Sequence, residues 1–101
     1  MYMETISQRQ WDCLKKWAET CQDCFRRSGH MPPLTKIPAE NGGFTLSGTP
    51  STNVCKDEVD AWNNFLDDLR CNGIIQDDEY HGNLTIYRFT SIAAAEQILA
   101  L

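Results

Sequence analysis

The sequence predicts a small α+β domain in which helices surround a β-hairpin and a last helix closes the chain. Two stretches, Trp11 to Phe25 and Cys55 to Leu69, repeat apolar residues at helical spacing. Two short β-type runs, Ile74 to Gln76 and Leu84 to Phe89, flank a polar loop from Asp77 to Asn83. The length, 101 residues with 42% hydrophobic content, suffices for one core without a metal or disulfide. One domain over residues 1–101 is therefore expected, with a core over 5–90 and a terminal helix over 91–101.

The first helix should start at Ser7. Ser7 and Gln10 have the spacing of a capping box, in which the hydroxyl takes an orphan N–H and the amide side chain returns to the cap, and Ile6 and Trp11 fall at the staple positions. Trp11, Leu14, Ala18, Cys21 and Phe25 recur every three or four residues, with Trp17 and Cys24 widening the stripe, so one face is expected to be apolar through Phe25. Gly29 supplies a stop, and Pro32 with Pro33 prevents resumption.

Between residues 34 and 50 the pattern weakens. Leu34 to Ile37 could form one helical turn, because Pro38 forbids a longer helix, and Gly42 with Gly43 marks a bend. Asn41 to Thr52 reads as an insertion-like loop packed by Phe44 and Leu46, with Phe44 to Leu46 able to form a short strand.

The next helix is expected from a cap at Thr52 or Asn53, with Asp57 and Glu58 near its first turn, where carboxylates favour the macrodipole. Cys55, Val59, Trp62, Leu66 and Leu69 form its expected buried stripe, with Phe65 beside it. Gly73 is the expected C′ residue, and Ile74 should contact Leu69 as in a Schellman motif. Ser91 can cap a final helix over Ile92 to Ala100. Ile92, Ala95, Ile98, Leu99 and Leu101 are too apolar for a free tail, so this segment packs on the domain or pairs with its copy in a homodimer, and packing on the domain is the expectation.

The order of elements, a helix, Gly-x-x-Pro-Pro, a short helix, a Ser/Thr-Pro turn, a longer helix, Asn-Gly and a hairpin, resembles the N-terminal winged helix-turn-helix domain of the LexA repressor family. Matching residues are Ile6 to Gln10, Gly29 to Pro33, Pro50 to Thr52, Leu66 to Ile75 and Leu84 to Phe89, together covering roughly residues 5 to 90. The resemblance implies three helices and a two- or three-stranded wing sheet, followed by the added C-terminal helix. Its motifs are mostly caps, turns and core positions, so they speak to fold more than to activity. Pro38 shortens the second helix, Gly42 to Thr49 enlarge the turn after it, and no DNA-contacting residue carries over.

Charge decides the functional expectation. The formal charge is −5, divided as +1 over residues 1–40 and −6 over residues 41–101. Eight of the fourteen carboxylates, Asp57, Glu58, Asp60, Asp67, Asp68, Asp77, Asp78 and Glu79, lie in the helix and hairpin that a DNA-reading fold would press against phosphates. They suit a basic protein surface, such as that of a nucleic-acid-binding protein, and at the extreme they mimic DNA. A solvated acidic face is the bland alternative. The expected function is a non-enzymatic regulatory module, of the kind a bacterial or bacteriophage accessory inhibitor would use. The alternative is a DNA-binding transcriptional regulator, monomeric or dimeric, using Lys15, Lys16, Arg26, Arg27, Lys36 and Arg88.

Other chemistry finds little support in the residues. Cys21 and Cys24 have the spacing of half a zinc site but lie mid-helix without a tight turn or a second pair, so buried free thiols are expected and no metal or cofactor. Neither sits at a helix N-terminus that would lower its pKa for redox work. His30 and His81 have no nucleophile placed beside them, and the adjacent carboxylates of Asp67-Asp68 and Asp77-Asp78 point different ways. Trp11, Trp17 and Trp62 fit core packing rather than a stacking platform for nucleic acid. Five cysteines, an odd number, and no apolar leader in Met1 to Gln10 point to a reducing cytoplasm, and no apolar run is long enough for a membrane span.

Overall fold

The computed structural model describes residues 6–101, apart from the side chains of residues 78–81. In chain order the elements are α1 (Gln8–Ser28), β1 (Leu34–Pro38), β2 (Phe44–Ser47), β3 (Thr52–Val54), a 3-10 turn (Lys56–Glu58), α2 (Val59–Cys71), β4 (Ile75–His81), β5 (Leu84–Phe89) and α3 (Ile92–Leu99). The fold is α+β, with three helices and one five-stranded antiparallel sheet in the order β3-β2-β1-β5-β4.

The helix ends follow the sequence chemistry. Ser7 Oγ accepts from the Gln10 N–H at 3.1 Å while Gln10 Oε1 accepts from the Ser7 N–H at 3.0 Å, completing the capping box. Gly29 closes α1 in the left-handed region, φ 73°, and its N–H donates to the Phe25 carbonyl. At the end of α2, Gly73 is also left-handed, its N–H donates to the Arg70 carbonyl at 3.1 Å, and the Ile74 N–H donates to the Leu69 carbonyl at 2.9 Å. That pair is the expected Schellman arrangement. Ser91 Oγ accepts from the Ala94 N–H to start α3.

Strand register determines which sheet face is buried. Leu34 lies opposite Tyr87, Lys36 opposite Leu46 and Thr85, Phe44 opposite Val54, and Ile75 opposite Phe89. Side chains alternate along strands, so Leu34, Phe44, Leu46, Thr52, Val54, Ile75, Tyr87 and Phe89 share one face, and all are buried. The other face carries Thr35, Ile37, Thr45, Ser47, Asn53 and Ile86, which are half-buried or exposed. Trp17 from α1 stands on Phe89 with ring centroids 4.3 Å apart, and its Nε1–H donates to the Pro32 carbonyl. Trp62, Phe65, Leu66 and Leu69 of α2 and Ala94, Ala95 and Ile98 of α3 complete the same core.

Several expectations are corrected. Leu34–Ile37 is not a helical turn but most of β1, and β1 is the middle strand of the sheet. Pro33 and Pro38 bias their preceding residues to extended backbone, and Thr35 and Ile37 are β-branched. The expected loop from Asn41 to Thr52 contains β2, which bears out the short strand read over Phe44 to Leu46, and enters β3, and Phe44 and Leu46 are buried as expected. Gly43 permits the close approach, because a Cβ there would run into the Val54 carbonyl oxygen. Two helices rather than three precede the hairpin, and strands occupy the place of the second helix of a helix-turn-helix. The longer helix begins at Val59 instead of near Thr52, since Thr52 and Val54 are claimed by the sheet, and Cys55 is exposed rather than buried. The buried stripe of α1 consists of Gln10, Cys13, Leu14, Trp17, Ala18 and Cys21, and Phe25 is 38% exposed rather than part of it. The hairpin loop shortens from Asp77–Asn83 to the residues between His81 and Leu84, because β4 continues past a register shift between Asp77 and Tyr80. The final helix packs along α1 and spends Ala94, Ala95 and Ile98 inside the chain, as expected for docking on the domain.

One-sided burial predicts unequal costs for two apolar truncations. Trp17→Ala should lower unfolding free energy by about 3–5 kcal/mol, whereas Ile37→Ala on the open face should cost under about 1 kcal/mol. Urea unfolding followed by circular dichroism measures both.

Candidate protein-binding surface

The packing of α2 settles where its carboxylates point. Trp62, Phe65, Leu66 and Leu69 are buried, so the line Asp60, Asn64, Asp67 and Cys71, spaced by four, three and four residues, lies on the opposite side and is exposed. Asp60 and Asp67 are separated by about 10 Å along the axis. Asp57 precedes them in the 3-10 turn and is exposed, and Asp68 is exposed on the flank nearer α1.

Part of the acidic set is neutralised within the chain. Arg9 of α1 reaches Glu58 at 3.0 Å, donates to the Asn53 carbonyl, and stacks over the Trp62 ring at 5.7 Å. Glu58 Oε1 also accepts from the Cys55 N–H at 3.3 Å. That backbone hydrogen bond first, and Arg9 after it, hold the Glu58 carboxyl below its ordinary range. Arg70 pairs with Asp67 at 3.5 Å, and the charges of Asp77 and Asp67 raise its guanidinium pKa. Asp57, Asp60 and Asp68 make no salt bridge among the described residues. Asp78 and Glu79 belong to β4, but their side chains lie outside the described residues.

The six cations singled out for DNA do not gather into one stripe. Lys36 sits on the helix-covered side of β1, donates to Asn63 Oδ1 at 2.7 Å, and lies 4.8 Å from the Phe44 ring centroid. Arg88 donates to the Met31 carbonyl at 3.1 Å, and Arg27 pairs with Asp23 at 2.8 Å. Lys15 and Lys16 share a shallow groove on α1 with Asp12 and Glu19, so their charge is locally balanced, and Arg26 is exposed in the last turn of α1.

The thiols divide by burial. Cys21 is buried, and its Sγ donates to the Pro32 carbonyl at 3.3 Å; desolvation pushes its pKa up to about 12. Burial also raises Cys13, which meets the Thr52 hydroxyl at 3.7 Å. Cys24 is half-buried, whereas Cys55 and Cys71 are exposed. Cys55, Asp57 and Glu58 bring one ligand atom each within 4.8 Å of one another at the surface. Glu58 is already held there by Arg9 and the Cys55 N–H, which compete with any cation. The expected pairing of Cys55 with the core obscured this group in the sequence.

A feature with no clear linear signal is a cleft of about 330 Å³ between the start of α1 and α2, lined by Ile6, Gln10, Ala61, Asn64, Phe65 and Asp68. Ala61, Asn64, Phe65 and Asp68 are spaced three, one and three residues apart, so they form a strip along one side of α2. Gln10 closes the floor and is only 5% exposed. Its Oε1 accepts from Ser7 and its Nε2 donates to the Ala61 carbonyl at 3.2 Å.

Comparison with protein-family models, curated proteins and solved structures gives no match. No helix among the described residues is long and apolar enough to cross a membrane.

Two expected outcomes follow from these environments. A maleimide probe on the native chain should label Cys55 and Cys71 rapidly, and Cys13 and Cys21 only once denaturant unfolds the domain; peptide mass mapping reads the order. Because the folded Glu58 pKa is depressed, its stabilisation is present above the unfolded pKa and lost as pH falls through the lower folded value. Wild type and Glu58→Gln should therefore differ in stability near neutrality and converge in acid, as measured by urea midpoints across that range.

Proposed function

We propose that the chain is a non-enzymatic regulatory module that binds a basic protein surface through the acidic outer face of α2 and the adjoining β4. The observation that supports this most is the exposure of Asp57, Asp60, Asp67 and Asp68 on α2 and the turn before it, while apolar packing holds the helix so that they cannot turn inward. Carboxylates fixed on a rigid element keep their spacing before a partner arrives, so little ordering entropy is lost on association. Like charge on one surface also steers a basic partner and repels nucleic acid. Helix α2 followed by the β4–β5 hairpin keeps the helix-then-wing order of the winged-helix resemblance, and the proposal draws on that part of it alone.

The partner is a basic surface, of the type proteins use to hold phosphates, and occupying it would inhibit nucleic-acid binding there. The DNA-binding alternative is disfavoured by Lys36 and Arg88, which are turned toward Asn63 and the Met31 carbonyl.

The test is a charge reversal that leaves the core untouched. Asp57→Lys/Asp60→Lys/Asp67→Lys should retain the wild-type circular dichroism spectrum and lose the proteins that the wild-type chain captures at low salt and releases at high salt. Equal capture by the triple variant, or retardation of mixed-sequence duplex by the wild-type chain in a low-salt gel shift, would contradict the proposal.

A further inference from the structure

Resting on the proposed acidic surface, we infer that the cleft between α1 and α2 receives one arginine side chain of the basic partner, its stem against Ile6, Ala61 and Phe65 and its guanidinium on the Asp68 carboxylate. The cleft adjoins the exposed acidic line of α2, sharing Asn64 with it, so a chain lying on that line can project a side chain sideways into it.

The lining selects the occupant. Ile6, Ala61 and Phe65 give an apolar wall with no polar side-chain atom. Gln10, the most deeply placed polar residue, has its oxygen engaged by Ser7 and its nitrogen by Ala61, so it forms a fixed and uncharged floor. Among the lining side chains, Asp68 and Asn64 have polar atoms that make no hydrogen bond among the described residues, and Asp68 alone carries charge. An apolar wall ending at one carboxylate and one amide oxygen matches a long aliphatic stem with a cationic head. A free anion is repelled by Asp68 and by the −6 charge of residues 41–101. A purely apolar side chain would desolvate the carboxylate with no hydrogen bond in return.

Arginine fits better than lysine on geometry. Its planar guanidinium offers parallel N–H donors to both carboxylate oxygens and can still reach Asn64 Oδ1, one turn away on the same helix, whereas an ammonium presents a compact and strongly hydrated charge. The volume, about 330 Å³, is ample for one such side chain.

The experiment is a titration of ¹⁵N-labelled chain with N-acetyl-arginine methylamide, using the lysine and norleucine analogues as comparators. The inference predicts saturable amide shifts at Ile6, Gln10, Ala61, Phe65 and Asp68 with the arginine probe, weaker shifts with lysine and none with norleucine. Asp68→Asn should weaken arginine binding by about tenfold or more, and Ala61→Phe, at an exposed position, should fill the cleft and abolish it. Asp60→Asn, outside the cleft, should leave the saturating shifts in place. Shifts spread evenly over all carboxylates, equal response to lysine, or unchanged affinity in both Asp68→Asn and Ala61→Phe would overturn the inference. Its failure is separable from that of the acidic surface: loss of the partner by the triple lysine variant with a silent cleft refutes the arginine site alone. Saturation of the cleft by arginine beside undiminished capture by the triple variant upholds the site and refutes the wider surface.

Discussion

Burial of a single sheet face is the constraint from which the rest of the molecule follows. Leu34, Phe44, Leu46, Val54, Ile75, Tyr87 and Phe89 all point to the same side, and only there can the helices lay down their apolar stripes. Trp17 over Phe89 fixes α1, and the burial of Trp62, Phe65, Leu66 and Leu69 in the same core fixes the rotation of α2. Once Trp62, Phe65, Leu66 and Leu69 face the core, helical periodicity leaves Asp60 and Asp67 facing outward. The position of the surface charge is thus a by-product of hydrophobic packing and owes little to interactions among the charges themselves.

The ion pairs have a different task. Arg9 links the first turn of α1 to the entry of α2 through Glu58 and Asn53, and Arg70 stands between Asp67 of α2 and Asp77 of β4. Both are surface interactions, and such pairs contribute little to net stability. Their effect is to moderate repulsion along a crowded acidic edge while leaving Asp57, Asp60 and Asp68 exposed. Charges along β4, an edge strand, also discourage pairing with another copy of the same strand, because like charges would meet across the new ladder.

Local signals carried the helices well. The Ser7–Gln10 box, the Gly73–Ile74 motif and the Ser91 cap depend on neighbours within a few residues, so they were legible in the sequence, as were the buried Trp62, Leu66 and Leu69. The sheet was not. Leu34 to Val54 divides into strands of five, four and three residues, too short for a clear period of two, and Lys36 occupies a core-side position because Asn63 and Phe44 receive it. Only long-range pairing makes these segments strands. The acidic residues were visible as a composition, but their division into paired and exposed members required the positions of Arg9 and Arg70. The cleft needed α1 and α2 to meet, and no residue of it advertises that meeting except Gln10, whose place in the cap masked its second contact with Ala61.

The most direct measurement is the amide chemical-shift footprint of the ¹⁵N-labelled chain bound to its captured basic partner. Binding through the acidic face should concentrate the perturbations at residues 57–71 and the adjoining start of β4. A footprint centred on the uncovered sheet face, at Thr35, Ile37 and Thr45, or on Lys15 and Lys16 of α1, would contradict it.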